Sequence, residues 1–150
     1  MDKSALNDLL RPESVAIVGA SATPGKIGYT VIHNLLEGKY EGKIYPINPT
    51  ATDILGLKVY PTVGDIPGTV DLAVITVPVK LVSQVAEECG KKGIPALSVI
   101  TSGFSEVGRK DLEDELLDIA RQYNMVVLGP NIVGTLSNSS KCNASFAPFL

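Results

Sequence analysis

The chain has 150 residues, with 13 Lys and Arg against 16 Asp and Glu, which gives a net charge of −3. That length fits one domain, and a 45% hydrophobic composition supplies a core, which excludes a wholly disordered chain. The lack of a basic excess and the 5% aromatic content argue against a general nucleic-acid binder. Many of the acids lie between residues 106 and 118, so an anionic small ligand is possible elsewhere on the chain.

Cysteine and histidine are scarce in this sequence. Cys89 and Cys142 are too few for a disulfide framework or a cysteine-rich metal site. The single histidine, His33, excludes multi-histidine metal sites and argues against a Ser-His-Asp hydrolase. Residues 1–10 lack the apolar run of a signal peptide, and no apolar run approaches the roughly 18 residues of a membrane span. We therefore expect a cytoplasmic protein without a metal site.

The predicted elements alternate between apolar runs, typical of strands buried on both faces, and amphipathic stretches, typical of helices. The first half of the chain predicts a helix over 4–10, a strand over 15–18, a helix over 26–37, a strand over 43–47 and an irregular stretch over 57–70. The second half predicts a strand over 72–77, a helix whose apolar stripe covers 82–89 and which ends at Gly90, and a strand over 96–100. A helix whose apolar stripe covers 112–123 and a strand over 125–128 follow. This alternation predicts an α/β fold: a Rossmann-like, doubly wound, mainly parallel sheet with helices on both faces.

The strongest local signal is the loop between the first strand and the helix over 26–37. It contains Gly19, Gly25 and Gly28, together with Ser21 and Lys26. Glycines let backbone N–H groups approach a ligand, and a helix N-terminus favours phosphate. We interpret this loop as a phosphate-binding loop, and the alternative is a tight turn whose glycines serve packing alone.

The loop differs from two common phosphate-binding motifs. Its glycine spacing is not Gly-x-Gly-x-x-Gly, and the second strand ends in Asn48-Pro49 instead of the acidic residue that binds the ribose of NAD. Lys26 is not followed by Ser or Thr, so the loop is not a P-loop either.

Several short motifs follow one another in a fixed order along the chain: Gly-Ala-Ser-x-x-Pro-Gly-Lys-x-Gly over 19–28, Tyr-Pro-Ile-Asn-Pro over 45–49, Ile-Leu-Gly over 54–56, Val-Pro over 77–78, Ser-Gly-Phe over 102–104 and Leu-Gly-Pro-Asn over 128–131. This ordered set resembles the CoA-binding domain of ADP-forming acyl-CoA synthetases, such as ADP-forming acetate–CoA ligase, which are relatives of the succinyl-CoA synthetase α-subunit. The resemblance covers about residues 10–150.

The resemblance implies a Rossmann-like CoA-binding domain over residues 1–150, at the N-terminus of a longer multidomain chain with an ATP-binding module. The parent enzyme would interconvert acyl-CoA, ADP and phosphate with free acid, CoA and ATP, using a phosphorylated histidine in a following domain. The chain would then bind CoA or acyl-CoA, contact the C-terminal domains or a partner subunit, and be inactive alone, with no catalytic residue of its own.

Carried over by position, the implied CoA-binding residues fall in five segments: Gly19, Ala20, Ser21, Gly25 and Lys26; Asn48 and Pro49; Val77 and Pro78; Thr101, Ser102 and Gly103; and Asn131. The first segment would contact the phosphates. The third would line the nucleotide or pantetheine path, the fourth would hold the pantetheine, and Asn131 would lie toward the thiol. Many relatives carry a lysine where this chain has Thr50, so Lys26 would bear more of the interaction with phosphate.

Other conspicuous residues are interpreted as structural. His33 lies among core positions of its helix, Cys89 lies on an apolar stripe, and the acidic face over 106–118 is a solvated surface. Cys142 lies in a polar segment and is expected to be exposed. The apolar tail over 145–150 is expected to form a strand into a following domain or a partner surface.

Two other functions stay open from the residues. One is a non-enzymatic CoA-binding or regulatory module, either stand-alone or within a protein acetyltransferase. The other is an NAD(P)-binding oxidoreductase domain, against which the missing acid after the second strand argues.

Overall fold

The computed structural model describes residues 3–148, so Met1, Asp2, Phe149 and Leu150 lie outside the described part. The helices are α1 (Lys3–Leu10), α2 (Ile27–Glu37), α3 (Val79–Lys92) and α4 (Lys110–Gln122). The strands are β1 (Ser14–Val18), β2 (Lys43–Ile47), β3 (Asp53–Ile54), β4 (Leu57–Lys58), β5 (Leu72–Ile75), β6 (Ala96–Val99), β7 (Val126–Leu128), β8 (Gly134–Ser137) and β9 (Cys142–Ser145). Single 3-10 turns cover Val63–Asp65 and Ser105–Val107.

Five of these strands form one parallel sheet in the order β2-β1-β5-β6-β7. Val15 pairs with Ile44 of β2 on one side and with Leu72 of β5 on the other. The chain first winds outward from β1 to β2 and then returns to build β5, β6 and β7 on the other side of β1. The order therefore reverses between β1 and β5, which is the arrangement of a doubly wound sheet.

Helices cover both faces of this sheet, as predicted. The side chains of β1 alternate: Ala16 and Val18 pack on the α3–α4 side, while Val15 and Ile17 pack on the side of α1 and α2. All five residues of β1 are buried. Complete burial of a Val or Ile side chain contributes about 1.5–3 kcal/mol, so this central strand fixes both layers to each other.

Helix α3 continues past the residue at which it was predicted to end. Gly90 lies within the helix, and a Cβ there would collide with the ring of Tyr123, the residue that follows α4. Gly93 ends the helix instead, because it adopts the left-handed conformation (φ 84°) and donates its N–H to the carbonyl oxygens of Cys89 and Gly90. The glycine at position 90 therefore serves close helix packing and the glycine at 93 serves the cap.

Strands β8 and β9 form an antiparallel hairpin that the sequence analysis did not predict. Gly134 pairs with Ser145, and Ser137 pairs with Cys142. The hairpin lies against α2, where the buried side chain of Asn34 donates from Nδ2 to the carbonyl oxygens of Ser145 and Ala147, at 2.9 Å each.

Two expectations about this segment are wrong. Cys142 is 2% exposed, because its strand turns its side chain into the core beneath α2. Ser145 pairs within this chain as part of β9, and Phe146 packs against the same core. The rest of the expected tail strand, Phe149 and Leu150, lies outside the described residues.

Candidate functional site

The site predicted from the sequence lies where the parallel strands end, at what we call the carboxyl edge of the sheet. In open α/β sheets, ligands bind at this edge, beside the position where the strand order reverses. Here that position lies between β1 and β5. The loop after β1 and the loop after β5 therefore diverge and leave a crevice between them.

Gly19 begins the loop after β1 at a crowded position. Its φ is 98°, and a Cβ would lie 2.5 Å from Thr76 Oγ1 and 3.0 Å from the backbone nitrogen of Val77. The Thr76 hydroxyl lies 3.2 Å from the carbonyl oxygens of both Val18 and Gly19. Glycine is needed here because the ends of β1 and β5 approach each other closely. Thr76, which the sequence analysis did not single out, holds them together.

The next residues of this loop are held by the end of β2. The amides of Gly19 and Ala20 donate to the carbonyl oxygen of Ile47 at 3.3 and 3.1 Å. Asn48 Nδ2 donates to the carbonyl oxygen of Ala20 at 2.9 Å, and Asn48 Oδ1 accepts from the amide of Thr50 at 2.9 Å. Gly19, Ala20 and Asn48 thus shape the loop through bonds within the protein.

The second half of the loop opens to solvent. Ser21 Oγ accepts the amide of Thr23 at 3.0 Å, and Gly25 and Lys26 are exposed. Lys26 is the residue immediately before α2, and the first intrahelical bonds are those that Tyr29 and Thr30 donate to its carbonyl. The amides at the start of α2 therefore lie ahead of the helical ladder, at the positive end of the helix dipole.

The larger cavity of the crevice has a volume of about 430 Å³. Residues predicted for the site from three loops line it: Val77, Pro78, Thr101, Ser102 and Asn131. The structure adds Thr76, Ile27 at the start of α2, Ile132 and Phe146. The sequence signal for Phe146 was the apolar tail, which was interpreted as a partner surface and not as a wall of this cavity.

Hydrogen bonds fix the loop after β6 beside this cavity. Thr101 Oγ1 donates to the carbonyl oxygen of Val77 at 2.7 Å. The amides of Gly103 and Phe104 donate to the carboxylate of Glu106, the latter at 3.1 Å, and these bonds lower the pKa of Glu106. The Ser102 side chain is exposed, while Gly103 is engaged by the protein itself.

A smaller cleft of about 220 Å³ lies on the other side of Val77. Its walls come from the ends of β1 and β2, from Pro61 and Thr62, and from α3. Gly19, Asn48, Pro49 and Val77 are the predicted site residues that line it. Val77 lines both spaces, so the smaller cleft and the larger cavity adjoin at the end of β5.

Not every singled-out residue joins the crevice. Ala20, Ser21, Gly25, Lys26 and Gly103 line neither space. Four of these belong to the loop after β1, whose far half is open to solvent, and the fifth is bonded to Glu106.

The other titratable candidates are engaged or buried. The His33 side chain is 46% exposed on α2 and lies 3.8 Å from Glu37. Burial raises the pKa of the Cys89 thiol to about 12 and that of Cys142 to about 11, so both thiols stay protonated near neutral pH. Within residues 3–148, no group of three or more His, Cys, Asp or Glu side chains could hold a metal ion.

The parallel sheet, the glycine loop before α2 and the crevice at the reversal of strand order define a doubly wound nucleotide-binding domain. A family model described as a CoA binding domain matches residues 13–137. The chain belongs to this family of CoA-binding domains, which confirms the resemblance found in the sequence.

Known relatives agree with this assignment. The α-subunit of ADP-forming acetate–CoA ligase I from Pyrococcus furiosus is 50% identical over 96% of this chain and 32% of that subunit. The ADP-forming acetate–CoA ligase of Methanocaldococcus jannaschii is 49% identical over 91% of this chain and 19% of that protein. The chain thus spans a third or less of the length of these relatives.

A solved structure has the same fold. It is the dinucleotide forming acetyl-coenzyme A synthetase 1 of Ca. Korarchaeum cryptofilum in complex with phosphate and ADP. The two structures superpose with a TM-score of 0.94 at 50% sequence identity, over 97% of this chain and 31% of that one.

Among residues 3–148 of the present chain, no helix has both the length and the apolar character needed to cross a membrane.

Proposed function

We propose that this chain binds CoA along the carboxyl edge of the sheet. The adenine base occupies the smaller cleft, the diphosphate lies over the loop at residues 21–26, the 3′-phosphate lies toward Thr50, and the pantetheine arm enters the larger cavity. The observation that carries the proposal is that the two spaces adjoin at Val77, which lines both, with the glycine loop beside them. A ligand with a planar base, a central anion and a long neutral arm matches the smaller cleft, the glycine loop and the larger cavity in that order.

The smaller cleft suits a planar, largely apolar ring. Pro49, Pro61 and Val77 form its walls, together with Ile47 and Val85. Apolar walls with a few polar groups are typical of small-molecule sites. A purine ring packed between them buries both faces while its edge stays available for hydrogen bonds.

The loop after β1 suits the diphosphate. The start of α2 carries about half a positive charge from the helix dipole, and Lys26 adds a full charge at the same end. Ser21 contributes a hydroxyl group. An exposed loop with these groups attracts an anion without requiring it to be buried.

The larger cavity suits an uncharged arm. Its lining includes Thr76, Ser102 and Asn131, which can exchange hydrogen bonds with amides, and Ile27 and Phe146, which pack against methylene groups. No charged side chain lines it among the described residues. A phosphate placed there would find no counter-charge, whereas pantetheine needs none.

We further propose that the chain acts as the CoA-binding part of a cytoplasmic, ADP-forming acyl-CoA ligase. The relatives named above support this role. The chain supplies CoA recognition, while acyl and phosphoryl transfer belong to additional domains or a partner subunit. We expect the purified chain to form no ATP from acyl-CoA, ADP and phosphate.

Calorimetric titration tests the proposal, with CoA, dephospho-CoA and NADH as ligands for the purified chain. The expected result is binding of CoA and none of NADH. Binding of NADH at least as tight as that of CoA would favour the oxidoreductase alternative. Failure of all three ligands to bind would show that this chain does not form the proposed site.

A further inference from the structure

The smaller cleft has a polar edge on α3 that no sequence motif predicted. Gln84 and Glu88 lie one helical turn apart and both line the cleft. Gln84 Nε2 donates to Glu88 Oε1 at 3.1 Å. Glu88 is half-buried and Gln84 is exposed, so the pair lies at the mouth of a largely apolar space.

The other polar side chains of this cleft are engaged elsewhere. Asn48 bonds to the loop after β1 and to Thr50, as described above. Thr62 Oγ1 donates to Asp65 Oδ2 at 2.8 Å. Gln84 and Glu88 keep spare capacity, because an amide nitrogen carries two N–H groups and a carboxylate has about four acceptor positions.

Their spare groups match one nucleobase edge. An adenine ring carries an exocyclic N–H₂ donor next to a ring nitrogen that accepts. The Gln84 amide can donate to that ring nitrogen while the Glu88 carboxylate accepts from the exocyclic amine. A guanine or hypoxanthine ring would instead turn a carbonyl oxygen toward the carboxylate, and two acceptors repel each other.

We propose that Gln84 and Glu88 read the Watson–Crick edge of the base and make the cleft selective for adenine. The proposal rests on the proposed function, since it presumes that the base of CoA occupies this cleft. It assigns Gln84 and Glu88 as specificity-determining residues on a helix that the sequence analysis interpreted only by its apolar stripe.

The test compares CoA with 1,N6-etheno-CoA, in which a two-carbon bridge removes both the amine donor and the ring acceptor. Calorimetry of the native chain should give an affinity at least about thirtyfold higher for CoA than for etheno-CoA, as expected for one charged and one neutral hydrogen bond. In the double variant Gln84→Ala/Glu88→Ala, the ratio should fall to near one, mainly through weaker binding of CoA.

A matched control carries Gln122→Ala and Glu37→Ala, which remove the same side-chain types from exposed positions of α4 and α2. This control should keep the native ratio, and both double variants should retain the native circular dichroism spectrum. A native ratio near one overturns the base-reading proposal and leaves CoA binding standing. A preference that persists in Gln84→Ala/Glu88→Ala means that ring shape alone is read, which also overturns it. Absence of CoA binding overturns this proposal and the proposed function together.

Discussion

Two loops at the carboxyl edge differ in the charge that they present to a ligand. The loop after β1 and the loop after β6 each contain a glycine with positive φ, 98° at Gly19 and 108° at Gly103. Beyond Ala20 the first loop opens to solvent and leads into the positive end of α2. In the second loop, the amides of Gly103 and Phe104 are already bonded to the carboxylate of Glu106.

This difference indicates which part of a ligand each loop favours, the charged part or the uncharged part. The loop after β1 presents positive potential without an anion of its own, so it favours a phosphate. The loop after β6 carries its own carboxylate, and the lowered pKa of Glu106 keeps that group ionised. A phosphate is therefore repelled from the second loop and an uncharged arm is not. Four substitutions break or sharpen this contrast, here in order of decreasing expected effect.

The largest effect is expected at Gly19, where the first loop begins. Gly19→Ala should lower the free energy of unfolding by about 2–4 kcal/mol, because strain at positive φ adds to the collision with Thr76 and Val77. Gly25→Ala is the matched variant: its φ is 91° but a Cβ would have no neighbour within 4 Å, so strain alone should cost about 1–2 kcal/mol. Urea unfolding of the two variants measures the difference. Equal losses would mean that the close approach of β1 and β5 does not require glycine.

Lys26→Ala should weaken CoA binding about fivefold at low ionic strength, since it removes a full charge at the start of α2. The loss should shrink as salt is added, because exposed charges are screened. Lys43→Ala, an exposed lysine at the opposite edge of the sheet, should leave the affinity unchanged. Calorimetry at low and high salt measures both. An unchanged affinity in Lys26→Ala would exclude the loop after β1 as the phosphate site.

Thr50→Lys should strengthen the binding of CoA through its 3′-phosphate. Thr50 follows Pro49 at the rim of the smaller cleft and is exposed, so a lysine there adds a cation near the bound nucleotide. The affinity for CoA should rise about threefold while that for dephospho-CoA stays the same. Thr69→Lys adds the same charge before β5, at the opposite edge, and should change neither affinity. An equal gain for both ligands would mean that the 3′-phosphate is not near Thr50.

Glu106→Gln addresses the second loop and should have the smallest effect, because the carboxylate is exposed to solvent. Its pKa is lowered in the folded chain by the amide of Gly103, so the ionised group stabilises the fold above the ordinary glutamate pKa. That contribution is lost as the pH falls through the lowered pKa. The native chain should thus exceed Glu106→Gln in stability at neutral pH and converge with it in acid. Glu115→Gln, at an exposed position of α4, is the control, and parallel pH profiles for both variants would contradict the assignment.

Much of the sheet was predictable from the sequence, because its strands are continuous apolar runs. Residues 15–18 of β1 and all of β5 are buried, as their composition indicates. The hairpin was not predictable, since β8 and β9 consist largely of small and polar residues and are stabilised by distant partners such as Asn34. Gly90 and Gly93 show the same limit: either glycine can end a helix, and only the structure shows that Gly90 packs against the ring of Tyr123 while Gly93 forms the left-handed cap.

The candidate site was likewise predictable from the sequence only in part. Motifs predicted Val77, Ser102 and Asn131, which the structure brings to one cavity. Thr76, Gln84 and Glu88 line the two spaces but carry no motif, because an isolated hydroxyl or a polar pair on a helix resembles any solvated surface. Their place beside the crevice depends on the strand order, which a single sequence does not specify locally.

The bonds from Asn34 to Ser145 and Ala147 have a consequence for the order in which the crevice forms during synthesis. They join residues 111 and 113 positions apart, and they fix the segment that brings Phe146 to the larger cavity. A ribosome releases α2 and the first strands long before this segment, and contacts of such long range form only after the intervening chain is available. The nascent protein therefore has the loop after β1 early and acquires the last wall of the larger cavity late.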